Sequence, residues 1–184
     1  MSDIKVVTGA KTRWSYLHVW EPQTINGGKP KYSVCLLIPK EDLATVDAVR
    51  EAIRSAYAAG KAKLQGNSKS VPPLGAIKTP LRDGDAEHPG ESPYAGCFFL
   101  NANNTIRPQI VDAECQPILD QEDVYSGCYG RASISFYVFN VNGNRGIACG
   151  LNSLQKLRDG DRLGGGPSSA AADFADLVSD PLDL

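Results

Sequence analysis

The stretch that decides the fold is "VYSGCYGRASISFYVFNVNGNRGIACGLNSLQKL", residues 124–157. Its first half alternates, and one parity places the apolar residues Ala132, Ile134, Phe136 and Val138 on a single face, which is the period of a strand. Asn142 and Gly143 then form a strong hairpin signal, because both types tolerate positive φ. The stretch therefore predicts two long antiparallel strands, with a core on the face of Ile134.

Three more strands are predicted upstream of this hairpin. In "RWSYLHVW", residues 13–20, Leu17 and Val19 share one face, and the other face holds Trp14, Tyr16, His18 and Trp20. "KYSVCLLIP" (31–39) follows the turn signal Asn26-Gly27-Gly28, and "CFFLNAN" (97–103) is a further strand. An interrupted strand is predicted within 105–119.

One helix is predicted, over residues 41–64. Leu43, Val46, Val49, Ile53 and Tyr57 recur at steps of three and four residues, and acidic residues stand at the start, where a helix dipole favours them. Gly60 is expected to end or loosen this helix. Residues 66–96, rich in Gly, Pro, Ser and Asp, predict a long irregular connection. The chain is therefore expected to be mostly antiparallel strands with one helix.

Composition excludes several classes of protein. The 184 residues suit one domain with appendages, and no apolar run is long enough to cross a membrane. The N-terminus lacks the apolar region of a secretory signal, so a cytosolic setting is expected. The five cysteines form no CxxC pair, which favours small buried hydrophobes over disulfides or zinc.

Charge is distributed unevenly along the chain. Residues 1–82 contain 13 Lys and Arg against 6 Asp and Glu, whereas residues 83–184 contain 6 against 15, within a net charge of -2. The C-terminal "AAADFADLVSDPLDL" follows "LGGGPSS" and has no cation after Arg162. Such a split indicates nucleic-acid contact at a basic face and an acidic tail.

The sequence lacks the motifs for nucleotide binding, for nucleophilic hydrolysis and for zinc proteolysis. It contains two histidines, and it shows no positioned partner that would make either of them a general base. "LRDGD" occurs twice, at 81–85 and 157–161, which leaves open a metal site built from Asp83, Asp85, Asp159 and Asp161. Asp-Gly is ordinary turn chemistry, so turns are the favoured interpretation. We therefore predict no catalytic residue, no metal and no cofactor.

Aromatic and basic residues are interleaved on the predicted strands. Binders of single-stranded nucleic acid need rings that stack on bases and cations that follow phosphates. Aromatic side chains on strands also pack in cores, and this alternative stays open for each ring. From parity and charge, the predicted contacts are Arg13, Tyr16, Lys29, Lys31, Arg107, Arg131 and Tyr137.

Several stretches resemble one known family. They are "RWSYLHVWEPQTINGGKPKYSVCLLIPK", "TPLRDGD", "YAGCFFLNANN", "VYSGCYGRASISFYVFNVNGNRGIACGLNSLQKLRDGDRLGG" and "AADFADL". Together they resemble the phage-encoded single-stranded DNA-binding proteins once catalogued as a family of unknown function. The resemblance implies a mainly β OB-fold, a five-stranded antiparallel barrel with one main α-helix and long loops. It also implies coating of single-stranded DNA without sequence preference during phage replication, recombination or repair, in the cytoplasm of the infected host.

The resemblance assigns a role to the C-terminal residues. We expect an OB-fold domain over 1–163 and a flexible acidic tail over 164–184. In related tails, acidic and apolar residues recruit phage or host replication and recombination proteins and compete with DNA for the basic groove. The corresponding residues here are Asp173, Phe174, Asp176, Leu177, Asp180, Leu182, Asp183 and Leu184, although the Asp-Phe ending of well-known bacterial tails is missing. The alternatives are a metal-dependent nuclease and a structural phage protein.

Overall fold

The computed structural model describes residues 4–24 and 27–163. Its strands are β1 Ile4–Val7, β2 Arg13–Gln23, β3 Lys31–Pro39, β4 Arg82–Asp83, β5 Cys97–Asn104, β6 Gln109–Val111, β7 Tyr129–Val141 and β8 Asn144–Arg158. The helices are α1 Leu43–Ala59, α2 Lys61–Gln65 and α3 Gly84–Glu87. Short 3-10 turns lie at Leu74–Ala76, Ser92–Tyr94 and Gln121–Asp123. No helix in these described ranges is long and apolar enough to cross a membrane.

Five strands close into a barrel. The order β7-β2-β3-β5-β8 returns to its start because β8 also pairs with β7. Neighbours around the ring are antiparallel except β5 and β8, which run parallel and meet at Asn103 and Gly150. The mainly β barrel is confirmed, with that one parallel contact as the departure from an all-antiparallel ring. β1 adds to the outer edge of β7, and β6 adds to β8.

The hairpin of β7 and β8 forms as its sequence predicts. Asn142 and Gly143 have φ of 51° and 80°, the two positive values that a type I′ turn requires. Ala132, Ile134, Phe136 and Val138 all point into the core and are buried. Pairing between the two strands runs from Tyr129 with Arg158 to Val141 with Asn144.

The predicted helix is divided at Gly60. Asp42 caps α1 by accepting from the Thr45 amide at 3.3 Å, and the Thr45 hydroxyl in turn accepts from the Gly9 amide at 2.9 Å. Gly60 ends α1, and a β-carbon there would lie 2.2 Å from a methyl of Val138. A glycine is therefore needed where the helix pair crosses β7. The helix α1 packs on β1 and β7 and buries Val46, Val49, Ala52, Ile53 and Ala56.

The first strand of the barrel differs from its prediction. Leu17 and Val19 share one face as predicted, and this face is directed to the core, but Trp14 is fully buried in the same core, whereas Tyr16 is 60% exposed. The prediction that Trp14, Tyr16 and Trp20 share one face of the strand is therefore wrong. A bulge between Ser15 and His18, with Tyr16 at φ 45°, changes the parity of the strand.

Three of the five cysteines, Cys35, Cys128 and Cys149, are buried, as predicted for small hydrophobes. Burial raises the pKa of the Cys35 thiol to about 12, so this thiol stays protonated and unreactive. Cys115 is exposed, and for this residue the prediction is wrong. It lies in the turn after β6 with φ of 63°.

Both copies of "LRDGD" lie at ends of secondary-structure elements, the first between β4 and α3 and the second at the end of β8. In the first copy, Asp83 caps α3, and Lys40 Nζ lies 2.7 Å from Asp83 and 2.8 Å from Asp85. In the second, Asp159 lies 2.6 Å from Lys156 Nζ. Among the described residues, no group of three or more His, Cys, Asp or Glu is arranged to hold a metal ion.

We expect Lys40→Met to raise the pKa of both Asp83 and Asp85. The hydrogen bonds from Lys40 are the largest cause that holds both values below the ordinary range. A carboxyl whose folded-state pKa is depressed adds stability above its unfolded value, near 3.9, and that stability is lost as pH falls through the folded value. A ¹³C NMR titration of the carboxyl groups measures this directly, and unchanged midpoints in the variant would contradict the assignment.

Candidate nucleic-acid interface

Register aligns five residues across the outside of the barrel. Ser135 pairs with Gly150, Gly150 with Asn103, Asn103 with Ser33, and Ser33 with His18. We call these five residues the polar row. Their neighbours along the strands are buried in the core: Ile134, Leu151, Ala102, Val34 and Val19. Because successive side chains on a strand alternate, the polar row faces outward.

A cleft of about 240 Å³ opens over one end of the polar row. Its walls are fixed by hydrogen bonds: Asn152 Nδ2 donates to Ser135 Oγ at 2.9 Å, and Asn104 Nδ2 donates to the Leu151 carbonyl at 3.0 Å. Amides and hydroxyls held in this way offer polar contacts to a ligand at little cost in ordering. The lining residues are Lys31, Asn103, Asn104, Thr105, Ser135, Tyr137, Gly150 and Asn152.

Tyr137 supplies the aromatic ring of this cleft. It lies on β7 two residues after Ser135, and 43% of the residue is exposed. A β-carbon built at Gly150 would lie 3.4 Å from Tyr137 Cε1, so the ring lies beside the backbone of Gly150. An exposed aromatic ring in a cationic cleft is the arrangement on which a nucleobase stacks.

The cleft is electropositive. Lys31 lines it, and Lys29 is exposed two residues earlier in the loop before β3. Lys5 on β1 is exposed and pairs in register with Ser135. No acidic side chain lines the cleft within the described ranges. Phosphate groups are the ligands that such a cationic, acid-free surface attracts.

Arg131 shares the outer face of β7 with Tyr137. The two residues are six positions apart, which is about 20 Å along a strand. Arg131 is exposed, and its guanidinium donates to the Thr8 carbonyl at 3.5 Å. The predicted contacts Lys31, Arg131 and Tyr137 therefore lie on one side of the barrel, and Lys31 and Tyr137 line the same cleft. Lys29 precedes Lys31 by two residues in the loop before β3.

Tyr16 projects from the bulge of β2 and lies near a second aromatic residue, Tyr94. The pKa of Tyr94 is raised mainly by burial and further by the nearby Cys35 and Tyr16. The His88 ring stacks on Tyr94 with 4.0 Å between centroids, and its Nδ1 lies 2.6 Å from Glu91. Burial lowers the pKa of His18, in the polar row, which favours its neutral imidazole. Tyr16 thus offers a second exposed ring near the His18 end of the row.

Arg13 and Arg107 use their guanidinium groups within the protein. Arg13 donates to the carbonyls of Gly127 at 3.2 Å and Asp161 at 2.7 Å. Arg107 donates to the Trp20 carbonyl and lies 5.8 Å from the Trp20 ring centre. The structure places neither arginine in the cleft. The predicted tail residues, from Asp173 to Leu184, lie outside the described residues.

The parity argument missed several outward residues. Asn103 alternates with Leu100 and Ala102 in "CFFLNAN", and Gly150 and Asn152 alternate with buried Cys149 and Leu151. The same period that identified Tyr137 was present in both stretches. Lys5 carried no such signal, because four residues of β1 are too few to define a period.

Comparison with known proteins places this geometry in context. Residues 4–183 match the family model of the ssDNA-binding protein of Enterobacter phage Enc34. The chain is 32% identical over 173 residues to protein p50 of Acyrthosiphon pisum secondary endosymbiont phage 1, covering 90% of each. The structure of the single-stranded DNA-binding protein from bacteriophage Enc34 in complex with ssDNA superposes with TM-score 0.70 at 25% identity. That superposition covers 87% of this chain and 88% of that chain.

A more distant structure shares the fold. gp2.5, a single-stranded DNA-binding protein encoded by bacteriophage T7, superposes with TM-score 0.62 at 18% identity, over 100% of this chain and 99% of that chain. At that identity the likeness concerns the fold alone. The resemblance to phage single-stranded DNA-binding proteins and the OB-fold that it implied are both confirmed.

Proposed function

We propose, because this chain belongs to the family of the ssDNA-binding protein of Enterobacter phage Enc34, that it coats single-stranded DNA without sequence preference during phage replication, recombination or repair. The observation that supports this most directly is the cleft in which Lys31 and Tyr137 meet on the outer face of the barrel. Cations there attract phosphates, and the ring stacks on any base, so the surface does not distinguish sequences.

The path that we propose for DNA follows the polar row. A strand would enter past Lys5 and Lys31, stack a base on Tyr137, cross Asn103 and Ser33, and reach Tyr16. Small side chains along the row allow the backbone to approach closely, and their amides and hydroxyls can contact sugar and phosphate. Arg131 and Lys29 extend the cationic surface beyond this path. Arg13 and Arg107 act in this proposal by holding loops in place.

We propose that the protein acts by binding, without catalysis. A metal-dependent nuclease would need clustered carboxylates, whereas Asp83 and Asp85 are bound by Lys40, and Asp159 is bound by Lys156. The same carboxylates give no support to a divalent-ion site. Incubation of labelled DNA with Mg²⁺ or Mn²⁺ tests this alternative, and cleavage that purifies with the protein would support the nuclease.

We propose that residues 164–184 recruit phage or host replication and recombination proteins. Acidic residues alternate there with Phe174, Leu177 and Leu182, a pattern suited to an apolar pocket with a basic rim. The same carboxylates would compete with DNA for the cationic cleft, and this competition would weaken as salt screens it. The proposed setting is the cytoplasm of the infected bacterial host.

Titration of a fluorescent single-stranded oligonucleotide at several salt concentrations tests the function. We expect log affinity to fall linearly with log salt, by about 0.7 per phosphate contact neutralised. Lys31→Gln should weaken binding and reduce this slope by about one contact, because one cation is removed. Lys69, exposed and outside the cleft, provides the matched control Lys69→Gln, which should leave the slope unchanged. Failure of the wild-type chain to bind at low salt would favour a structural role.

A further inference from the structure

A second cleft, of about 320 Å³, lies between α1, β4 and β5, and we call it the arginine cleft. Its volume falls at the lower end of the range for ligand sites, about 300–1,000 Å³. The proposed DNA path does not use this cleft. The lining residues are Arg50, Ile53, Arg54, Leu74, Thr79, Leu81, Arg82, Asp83 and Phe98.

The arginine cleft combines an apolar floor with a basic rim. Leu74, Leu81 and Phe98 are the partly buried members of the floor, and they pack on the main core. Arg50 lies with its guanidinium carbon 5.0 Å from the Phe98 ring centre, and Lys40 covers the same ring at 5.2 Å. A ligand that fits must therefore present both apolar and anionic groups.

The guanidinium groups on the rim can exchange partners. Arg54 contacts Glu51 at 3.3 Å, and Arg82 contacts Glu87 at 2.8 Å, and in both pairs the side chains are well exposed. Such surface pairs contribute little, so an incoming carboxylate can replace them. Asp83, the one acid in the lining of the described cleft, is already bound by Lys40. The rim therefore keeps an excess of positive charge.

The described chain ends against β5, one of the strands beside the arginine cleft. Leu163, its last residue, packs against the cluster that contains Phe99, which faces away from Phe98 of the floor, and Arg82 of the rim pairs in register with Phe99. Nine residues, 164–172, separate Leu163 from Asp173. Ten steps of extended chain span roughly 33 Å, which is ample for Asp173 and Phe174 to reach the rim and floor.

We propose that the segment 173–177, "DFADL", binds in the arginine cleft of its own chain. Asp173 and Asp176 would pair with guanidinium groups of the rim, and Phe174 and Leu177 would contact the apolar floor. The last residues, "DPLDL", then remain available to a protein partner or to the DNA face. The arginine cleft is thus an anchoring site for the tail, separate from the site proposed for DNA.

Two matched tail variants of the full chain test the proposal by NMR. One carries Asp173→Asn with Phe174→Ala, and the other carries Asp183→Asn with Leu182→Ala. We expect the first variant alone to shift the arginine Nε–H signals of Arg50 and Arg82 and the amide signal of Phe98. Substitution Arg50→Gln should abolish the difference between wild type and the first variant, whereas Lys69→Gln should preserve it.

Each of the following results would contradict the proposal that "DFADL" binds in the arginine cleft of its own chain. If the first variant shifts signals of Lys31 and Asn103 instead, the segment lies on the DNA face. If both variants act equally, or if neither shifts the cleft signals, "DFADL" has no specific site there. If shifts at the cleft disappear on dilution of the protein, the segment comes from a second copy. If only added oligonucleotide shifts these signals, the arginine cleft binds phosphate. DNA affinity is measured separately, so these outcomes leave the proposed function unaffected.

Discussion

Trp14→Ala will lower the free energy of unfolding by about 3–5 kcal/mol, the range for removing a buried tryptophan from a core. The indole is fully buried inside the barrel. A β-carbon built at Gly130 on the adjacent strand β7 would lie 2.6 Å from its Cζ2, so the ring fills the space against that backbone. Urea denaturation followed by circular dichroism measures the effect.

Tyr16→Ala is the matched control for this prediction. Tyr16 is only two residues away on the same strand but 60% exposed, so its removal should cost about 0.5 kcal/mol or less. Tyr16 has φ of 45°, and tyrosine and alanine both carry a β-carbon that disfavours this conformation, so the comparison is mainly one of side chains. Equal losses for the two variants, or a loss below about 1 kcal/mol for Trp14→Ala, would contradict the bulge that separates their faces.

This pair also marks where sequence periodicity stops predicting structure. Alternation identified the strand, and Leu17 and Val19 do share one face, although Leu17 lies within the bulge and only Val19 follows it. A bulge adds one residue to one strand, and its position depends on the partner strand, here between Cys35 and Ser33. Tyrosine at positive φ is also uncommon, so no local signal indicated the change of face at Tyr16.

Sequence signals predicted correctly those turns and helix ends that depend mainly on residues close together in the chain. Asn142 and Gly143 fixed the β7–β8 turn, and Gly60 ended the helix where Val138 leaves no space for a side chain. The candidate site depends instead on barrel closure, which brings Gly150 beside Asn103 through a single parallel contact. Periodicity could predict that each residue faces outward, but only the assembled ring shows that they are neighbours.

The arginines illustrate the same limit for charge. Arg13 and Arg107 have the residue type and the predicted position of phosphate contacts, yet they donate to the carbonyls of Asp161 and Trp20. Those acceptors lie 148 and 87 residues away in sequence. Strand parity cannot predict a hydrogen-bond partner so distant in sequence. Lys31, by contrast, begins its strand and lines the cleft, as its residue type and position suggest.

Tyr137→Ala will weaken binding of single-stranded DNA by about 1–3 kcal/mol, or roughly 5- to 150-fold, if its ring stacks on a base as proposed. Tyr137 is the aromatic residue among the described residues that line the cleft, and its ring lies beside the backbone of Gly150. Fluorescence anisotropy at a fixed salt concentration measures the change. Tyr137→Phe keeps the ring and should retain most of the affinity.

The salt dependence of DNA binding distinguishes the contribution of the Tyr137 ring from that of the nearby cations. Stacking releases no counterions, so Tyr137→Ala should lower affinity by a similar factor at low and high salt. Lys31→Gln should lose most of its effect at high salt, because the contact that it removes is electrostatic. If Tyr137→Phe is as weak as Tyr137→Ala, the hydroxyl makes the contact and the stacking role is wrong. If Tyr137→Ala binds like wild type while Lys31→Gln does not, DNA crosses the cationic part of the cleft without reaching the ring.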